Sequence, residues 1–177
     1  SPPTPQEQYL LELINRARLN PTAEAERYPI DELNEGVPAE DTISSTPKQP
    51  LAFEFHLLDS ARKHSQWMLD NDTFSHYGDS NSTPHERMVA SGYPFEPAYG
   101  SGENIAVQGT TGTLDVNATV AGLHEALFVD DNYPGRGHRV NMLSEGFRHA
   151  GVASVEGEYT SGDTTYNALM VTENFAH

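Results

Sequence analysis

The sequence predicts an α+β domain in which helices come first and a β-hairpin comes last. Apolar residues recur at helical spacing through much of the chain, whereas two runs near its end, residues 150–156 and 168–175, have the composition of strands. The polar residues 158–163 separate these two runs as a turn would. No internal repeat is present, and 177 residues suit one domain with its own core. We therefore predict a single domain over residues 1–177.

The first predicted helix covers residues 5–19, where apolar side chains recur on one face. Thr4 precedes this helix as a candidate N-cap, and Pro21 follows its end. Residues 28–50 are rich in Pro, Asp, Glu, Ser and Thr and have no sustained period. We predict that this stretch forms a long surface loop.

A second helix is predicted over residues 55–69, which have an apolar side suited to the core. Thr83 followed by Pro84 has the pattern of an N-cap with proline at the first helical position, which predicts a short helix over residues 84–91. Residues 102–107 are predicted as a short strand. Two further helices are predicted over residues 113–128 and 137–143.

The chain is strongly acidic, with 26 Asp and Glu residues against 10 Lys and Arg residues and a formal net charge of -16. Such a surface repels phosphate backbones and anionic membranes, so nucleic acid is not an expected partner. No apolar run reaches the roughly 18 residues of a membrane-spanning helix. The absence of cysteine excludes disulfides, thiolate metal ligands and a cysteine nucleophile.

Four separated segments carry the residue types of a metal site or of acid/base chemistry. They are residues 74–77, 102–105, 123–126 and 135–141, and they contribute His76, Glu103, Glu125 and His138. Neutral imidazoles are strong ligands for zinc and similar ions. A nearby carboxylate can bind the ion, orient an imidazole or take a proton from bound water.

The order and surroundings of these segments resemble the CAP superfamily of cysteine-rich secretory, antigen 5 and pathogenesis-related proteins, whose domain is also called SCP. The likeness is to the cysteine-free bacterial members. His76 in Phe-Ser-His and Glu103 in Gly-Glu-Asn match the first histidine and the first glutamate of the family. His138, in Gly-His-Arg-Val-Asn-Met-Leu, matches the second histidine. Glu125 is the candidate for the second glutamate, with His124 as the alternative, because the family's preceding Trp is absent here.

The resemblance implies an α-β-α sandwich with a small antiparallel sheet between helices, over a core of about residues 6–175. It also implies a secreted or cell-envelope location and a cleft able to bind Zn²⁺ or another divalent cation, such as Ca²⁺ or Mg²⁺. We expect a monomeric binding module for an extracellular lipid, glycan or protein. One alternative is a metal-assisted hydrolase of peptidase or esterase type with Glu103 or Glu125 as the base. The other is an interaction domain in which the four residues form only a hydrogen-bonded network.

Five other residues of these segments are expected to line the cleft: Ser75, Asn104, His124, Arg136 and Arg139. The two arginines flank His138 in a chain short of positive charge, so they would attract an anionic group. Asp130 and its neighbours offer oxygen ligands for calcium, but the spacing of a calcium-binding loop is absent. We interpret them as a solvated turn.

Overall fold

The structure is a computed structural model that describes all residues from 1 to 177. Six α-helices and four strands follow one another along the chain. The helices are α1 (Pro5–Leu19), α2 (Pro21–Arg27), α3 (Phe55–Asp70), α4 (Pro84–Ala90), α5 (Val116–Val129) and α6 (Gly137–Met142). The strands are β1 (Ala52–Phe53), β2 (Ser101–Thr110), β3 (His149–Ser161) and β4 (Thr164–Ala176). The predicted α+β class is confirmed.

The strands form one sheet in the order β1-β3-β4-β2, with β2 at an edge. β4 pairs antiparallel with both β2 and β3, whereas β1 pairs parallel with β3, so the sheet is mixed and not wholly antiparallel as expected. The hairpin of β3 and β4 turns at Gly162, whose φ of 60° suits a glycine in a two-residue turn. The turn predicted over residues 158–163 is too long, because a cross-strand pair of Tyr159 and Tyr166 extends the hairpin.

The helix ends follow local sequence signals. Thr4 and Thr83 each close a capping box with a glutamate three residues later, which satisfies backbone N–H groups that the first turn leaves free. α2 was not predicted. Pro21 lies beyond the end of α1, as predicted, and it also begins α2, which Asn20 caps by accepting a hydrogen bond from Ala23 N.

The sheet separates two apolar layers, as in the α-β-α sandwich that the resemblance implies. On one face, residues of α1, α5 and α6 pack with Val152, Val171 and Phe175. On the other face, Met68 and Leu69 of α3 pack with residues of β2 and β4. β3 approaches the first turn of α3 so closely that a Cβ at Gly151 would lie 2.0 Å from the backbone of Leu57, so only glycine fits. None of the helices is long and apolar enough to cross a bilayer.

Candidate functional site

The first half of the candidate site is an ion-paired triad of His76, Glu103 and Arg87. Glu103 lies on the edge strand β2, and its carboxylate is almost completely buried. His76 Nδ1 donates to Glu103 Oε1 at 2.9 Å, and Arg87 Nη2 donates to Oε2 at 2.7 Å. Arg87 Nη1 also donates to the carbonyl oxygen of His76 at 2.8 Å, so one arginine positions both partners. His76 Nε2 has no hydrogen-bond partner in the protein, and its side chain is 39% exposed.

A second histidine, His64, lies next to this triad. His64 of α3 is buried, its Nε2 donates to the carbonyl oxygen of Ser75 at 2.8 Å, and it lies 3.9 Å from Glu103 Oε1. Burial lowers the pKa of His64, and the positive charge of Arg87 lowers it further against the opposing effect of Glu103. His64 therefore stays neutral near pH 7. The hydroxyl of Ser75 accepts from Tyr77 N at 3.0 Å and so stabilises the local turn.

The second half of the candidate site is the pair of His138 and Asp130. Asp130 ends α5 in the left-handed conformation, with φ 52°. Its carboxylate accepts from His138 Nδ1 at 2.7 Å and from His138 N at 2.9 Å, which orients the imidazole at the start of α6. The ring of Tyr133 lies 4.5 Å from the imidazole, centroid to centroid. His138 Nε2, like that of His76, has no partner within the protein.

Two asparagines connect the halves through β2. Asn104 Nδ2 donates to the carbonyl oxygen of His138 at 3.1 Å and to Glu173 Oε2 at 3.0 Å. Asn141 Nδ2 donates to Asn104 Oδ1 at 3.0 Å and to the carbonyl oxygen of Glu103 at 3.3 Å. Glu103 and Asn104 are successive residues of β2, so their side chains point to opposite faces of the sheet. His76 and His138 therefore contact neighbouring residues from the two sides of this edge strand.

Comparison with known proteins identifies the family. The family described as CAP, cysteine-rich secretory protein family, matches residues 11–175. The chain belongs to the CAP family. The uncharacterized protein YkwD of Bacillus subtilis is 32% identical over 108 residues, which are 61% of this chain and 36% of YkwD. The chain therefore matches only about a third of the length of that relative.

Solved structures share the CAP fold. An extracellular protein containing an SCP domain from Bacillus anthracis superposes with a TM-score of 0.52 and 23% identity, over 99% of this chain and 44% of that chain. The crystal structure of NaASP2 with Zn²⁺ gives a TM-score of 0.52 and 14% identity, over 97% of this chain and 80% of that chain. These likenesses support the α-β-α arrangement of the domain.

The CAP domain does not bring all of the predicted site residues together. Glu125 is exposed on α5, whereas His124 is fully buried and its Nε2 donates to Glu24 Oε1 at 3.1 Å. Burial acts to raise the pKa of Glu24, but hydrogen bonds from His124 and Arg16 outweigh this effect and lower the pKa to about 2. No group of three or more His, Asp or Glu side chains is arranged to hold a metal ion.

The two arginines beside His138 are both bound to other groups of the protein. Arg136 pairs with Glu35 through Nη2 at 2.9 Å, and Arg139 is fully buried against backbone carbonyl oxygens. Neither guanidinium is therefore free to attract an anionic group, as the sequence had led us to expect. The charge pattern alone could not distinguish an arginine that binds a ligand from one that anchors a loop.

Two residues that hold the histidines in place, Arg87 and Asp130, were not among the predicted site residues. Arg87 could have been singled out as a cation in a short helix of an acidic chain, although its partner Glu103 is 16 residues away. The prediction of a solvated turn around Asp130 is wrong for this residue, which is only 4% exposed and accepts a hydrogen bond from His138. The sequence signal that could have identified Asp130 is its position directly after the apolar end of α5.

Proposed function

We propose that this CAP domain is an extracellular binding module that holds a divalent cation through the Nε2 atoms of His76 and His138. The preferred cation is Zn²⁺, ahead of Ca²⁺ and Mg²⁺. The observation that carries the proposal is shared by both imidazoles. In each, Nδ1 donates to a buried carboxylate, of Glu103 or Asp130, and Nε2 is left without a partner. Histidines that bind metals are commonly oriented in this way, with the second ring nitrogen donating to a carboxylate.

The chemistry of the donors favours zinc among the divalent cations. Imidazole nitrogens suit Zn²⁺, whereas Ca²⁺ and Mg²⁺ prefer oxygen ligands. Two nitrogens leave coordination positions for water or for oxygen atoms of an extracellular ligand, so the cation would connect the domain to that ligand. The net charge of -16 would favour neutral or cationic ligands.

The engagement of the carboxylates supports binding over hydrolysis. Both oxygens of Glu103 are occupied, by His76 and by Arg87, so this carboxylate positions an imidazole and is not free to take a proton from water. Glu125, the other candidate base, is an exposed residue of α5. The description of the B. anthracis neighbour as extracellular and the presence of Zn²⁺ with NaASP2 support the proposal through fold analogy.

Calorimetric titration of chelator-treated protein with Zn²⁺ tests the proposal. At about pH 7.5, where an ordinary histidine is neutral, we expect one saturable site that disappears in the double variant His76→Ala, His138→Ala. His56→Ala is the matched control, because His56 is an exposed histidine whose Nδ1 also contacts a carboxylate, that of Glu54, at 2.7 Å. Zinc binding that persists in the double variant would refute the proposed site.

A second titration separates Asp130 from Glu125 as the carboxylate that acts on His138. Asp130→Asn is expected to weaken zinc binding by about 10- to 100-fold, since the amide no longer holds the imidazole by a charged hydrogen bond. Glu125→Gln is expected to leave the affinity unchanged because its side chain is exposed on α5. The reverse pattern would show that α5 contributes the second carboxylate, as in the family resemblance.

A further inference from the structure

The edge strand β2 carries backbone groups without partners on its outer side. Gly100, just before this strand, exchanges two backbone hydrogen bonds with His177, at 3.4 and 3.1 Å. In an antiparallel ladder, residues that bond to the partner strand alternate with residues whose backbone groups point away from it. The even-numbered residues of β2 therefore bond to β4, and the N–H and C=O groups of the odd-numbered residues point outward.

The outward groups differ in their surroundings along β2. Near the histidine cleft, Asn141 Nδ2 already donates to the carbonyl oxygen of Glu103 at 3.3 Å, and residues 103–106 are buried. Further along, Val107 is half-buried and Gly109 is exposed. Glycine has no side chain, so the exposure of Gly109 is exposure of its backbone. The outward N–H and C=O groups of Val107 and Gly109 bond to no other group of the protein.

This part of the edge lacks the features that usually protect a free strand. Natural edge strands are commonly blocked by Lys or another charged residue, by Pro or by a bulge. Residues 107–110 are Val, Gln, Gly and Thr, and the pairing of β2 with β4 runs without a break from Ser101 to Thr110. The edge is therefore available to hydrogen-bond an added strand, which is how several domains bind extended peptides.

A mainly apolar groove of about 190 Å³ lies beside the same edge, on the face of the sheet that packs against α3. Val107 and Gly109 line it together with Tyr159, Tyr166 and other residues of the hairpin. In antiparallel pairs, residues directly opposite each other have their side chains on the same face. A peptide residue that bonds to Val107 or Gly109 would therefore direct its side chain to this groove.

The charge at this end of the sheet favours a basic partner. No Lys or Arg occurs in residues 101–135 or 149–177, which include all of β2, α5, β3 and β4. The hairpin instead carries the exposed carboxylates of Glu156, Glu158 and Asp163. A second copy of this chain would bring two such surfaces together, each on a protein of net charge -16, whereas Lys or Arg side chains of a peptide would be attracted.

We propose that the outer edge of β2 at residues 107–110 binds an extended basic peptide segment of another protein, which joins the sheet as an antiparallel strand. In this segment apolar residues alternate with Lys or Arg. The apolar residues bond to Val107 and Gly109 and place their side chains at the groove, and the basic residues point to the opposite face. The site is separate from the histidine cleft at the other end of β2.

The probe is a fluorescein-labelled heptapeptide of alternating Lys and Val, and its binding is followed by fluorescence anisotropy. We expect saturable binding that weakens as salt is added. Two N-methylated forms of the peptide test the pairing. In the proposed strand the valine N–H groups donate to β2 and the lysine N–H groups point to solvent. Methylation of the valine nitrogens should therefore weaken binding by about tenfold or more, and methylation of the lysine nitrogens should change it by less than about twofold.

Val107→Pro makes the corresponding change in the protein. Because the Val107 N–H points away from β4, proline removes an outward donor without breaking a bond of the ladder, and edge strands tolerate proline at such positions. We expect this variant to bind the unmethylated peptide about tenfold more weakly. Gln108→Ala is the matched control, since it removes an exposed side chain from the neighbouring residue, whose backbone groups face β4. Its affinity should stay within about twofold.

Thermal melting curves show whether both variants are folded, and if Val107→Pro is not, the two methylated peptides decide alone. Anisotropy that never saturates, or equal weakening by the two methylated peptides, would overturn the proposal. Unchanged peptide binding by folded Val107→Pro would overturn it as well. A dimer in analytical ultracentrifugation that Val107→Pro abolishes would assign the edge to a second copy of this chain instead.

Discussion

Replacement of Arg139 by methionine is expected to lower the free energy of unfolding by about 4 kcal/mol. The guanidinium is completely buried and donates only to backbone carbonyl oxygens. These acceptors are Phe128 O at 2.6 Å, Leu33 O at 2.8 Å, Glu35 O at 3.1 Å and Val129 O at 2.5 Å. Methionine has a similar length but no donor, so all four oxygens would lose this partner, and those of Phe128 and Leu33 would do so in buried positions.

Denaturant unfolding of the two proteins measures this difference. Arg27→Met is the matched control, since the Arg27 side chain is 53% exposed and lies 3.5 Å from Glu24. For such a surface pair we expect a change within about 1 kcal/mol. A similar small effect for Arg139→Met would show that the long loop between α2 and β1 does not depend on this arginine for its attachment to α5 and α6.

The second large effect concerns Glu173 and the pH dependence of stability. This carboxyl is fully buried on β4, its Oε1 has no partner, and its Oε2 accepts from Asn104. Burial raises the pKa of Glu173 from 4.5 to about 7, against the smaller opposing effect of the Asn104 hydrogen bond. Between these two values the folded protein holds a proton that the unfolded chain releases. Its contribution to stability is therefore complete below pH 4.5 and is lost as the pH rises through about 7.

Glu173→Gln removes this titration while keeping the shape and the acceptor oxygen. We expect the unfolding free energy of the variant, relative to the unsubstituted protein, to rise by about 3 kcal/mol between pH 4.5 and pH 8. Denaturant unfolding at several pH values would show the difference. Glu158→Gln, which removes an exposed carboxyl on β3, should leave the pH dependence as it is. A constant difference between Glu173→Gln and the unsubstituted protein would mean that Glu173 is ionised throughout this range.

Much of the fold was predictable because its signals are local. The capping residues Thr4 and Thr83 define the starts of α1 and α4, and apolar spacing defines α3. One local signal was overlooked. Pro21 lies beyond the end of α1, as predicted, but together with the N-cap Asn20 it also begins α2. β1 has only two residues and gains its partners from β3, almost 100 positions away, so no local pattern could predict the parallel pair.

As with the fold, one part of the candidate site was predictable from local motifs and another part was not. The motifs around His76 and Glu103 predicted that both residues belong to one cleft, and in the structure His76 Nδ1 donates to Glu103 Oε1 across 27 positions of the chain. The carboxylate that contacts His138 could not be predicted from the motif on α5. Successive helix residues differ by about 100° in direction, so the packing of α5 turns His124 into the core and Glu125 to solvent. Asp130, at the end of that helix, becomes the carboxylate that contacts His138.

The sequence by itself determined the family, the α+β class, most helix boundaries and the two histidines of the candidate cleft. Tertiary structure decided which charged side chains reach those histidines and which, like Arg139, are buried as structural anchors. It also decided which buried polar atoms stay without a partner, among them His64 Nδ1 and Arg87 Nε. The physical reason is that residue type sets what a side chain can bind, whereas its partner depends on the direction in which a distant element presents it. Arg139 and Leu33, 106 positions apart, meet only in the folded chain.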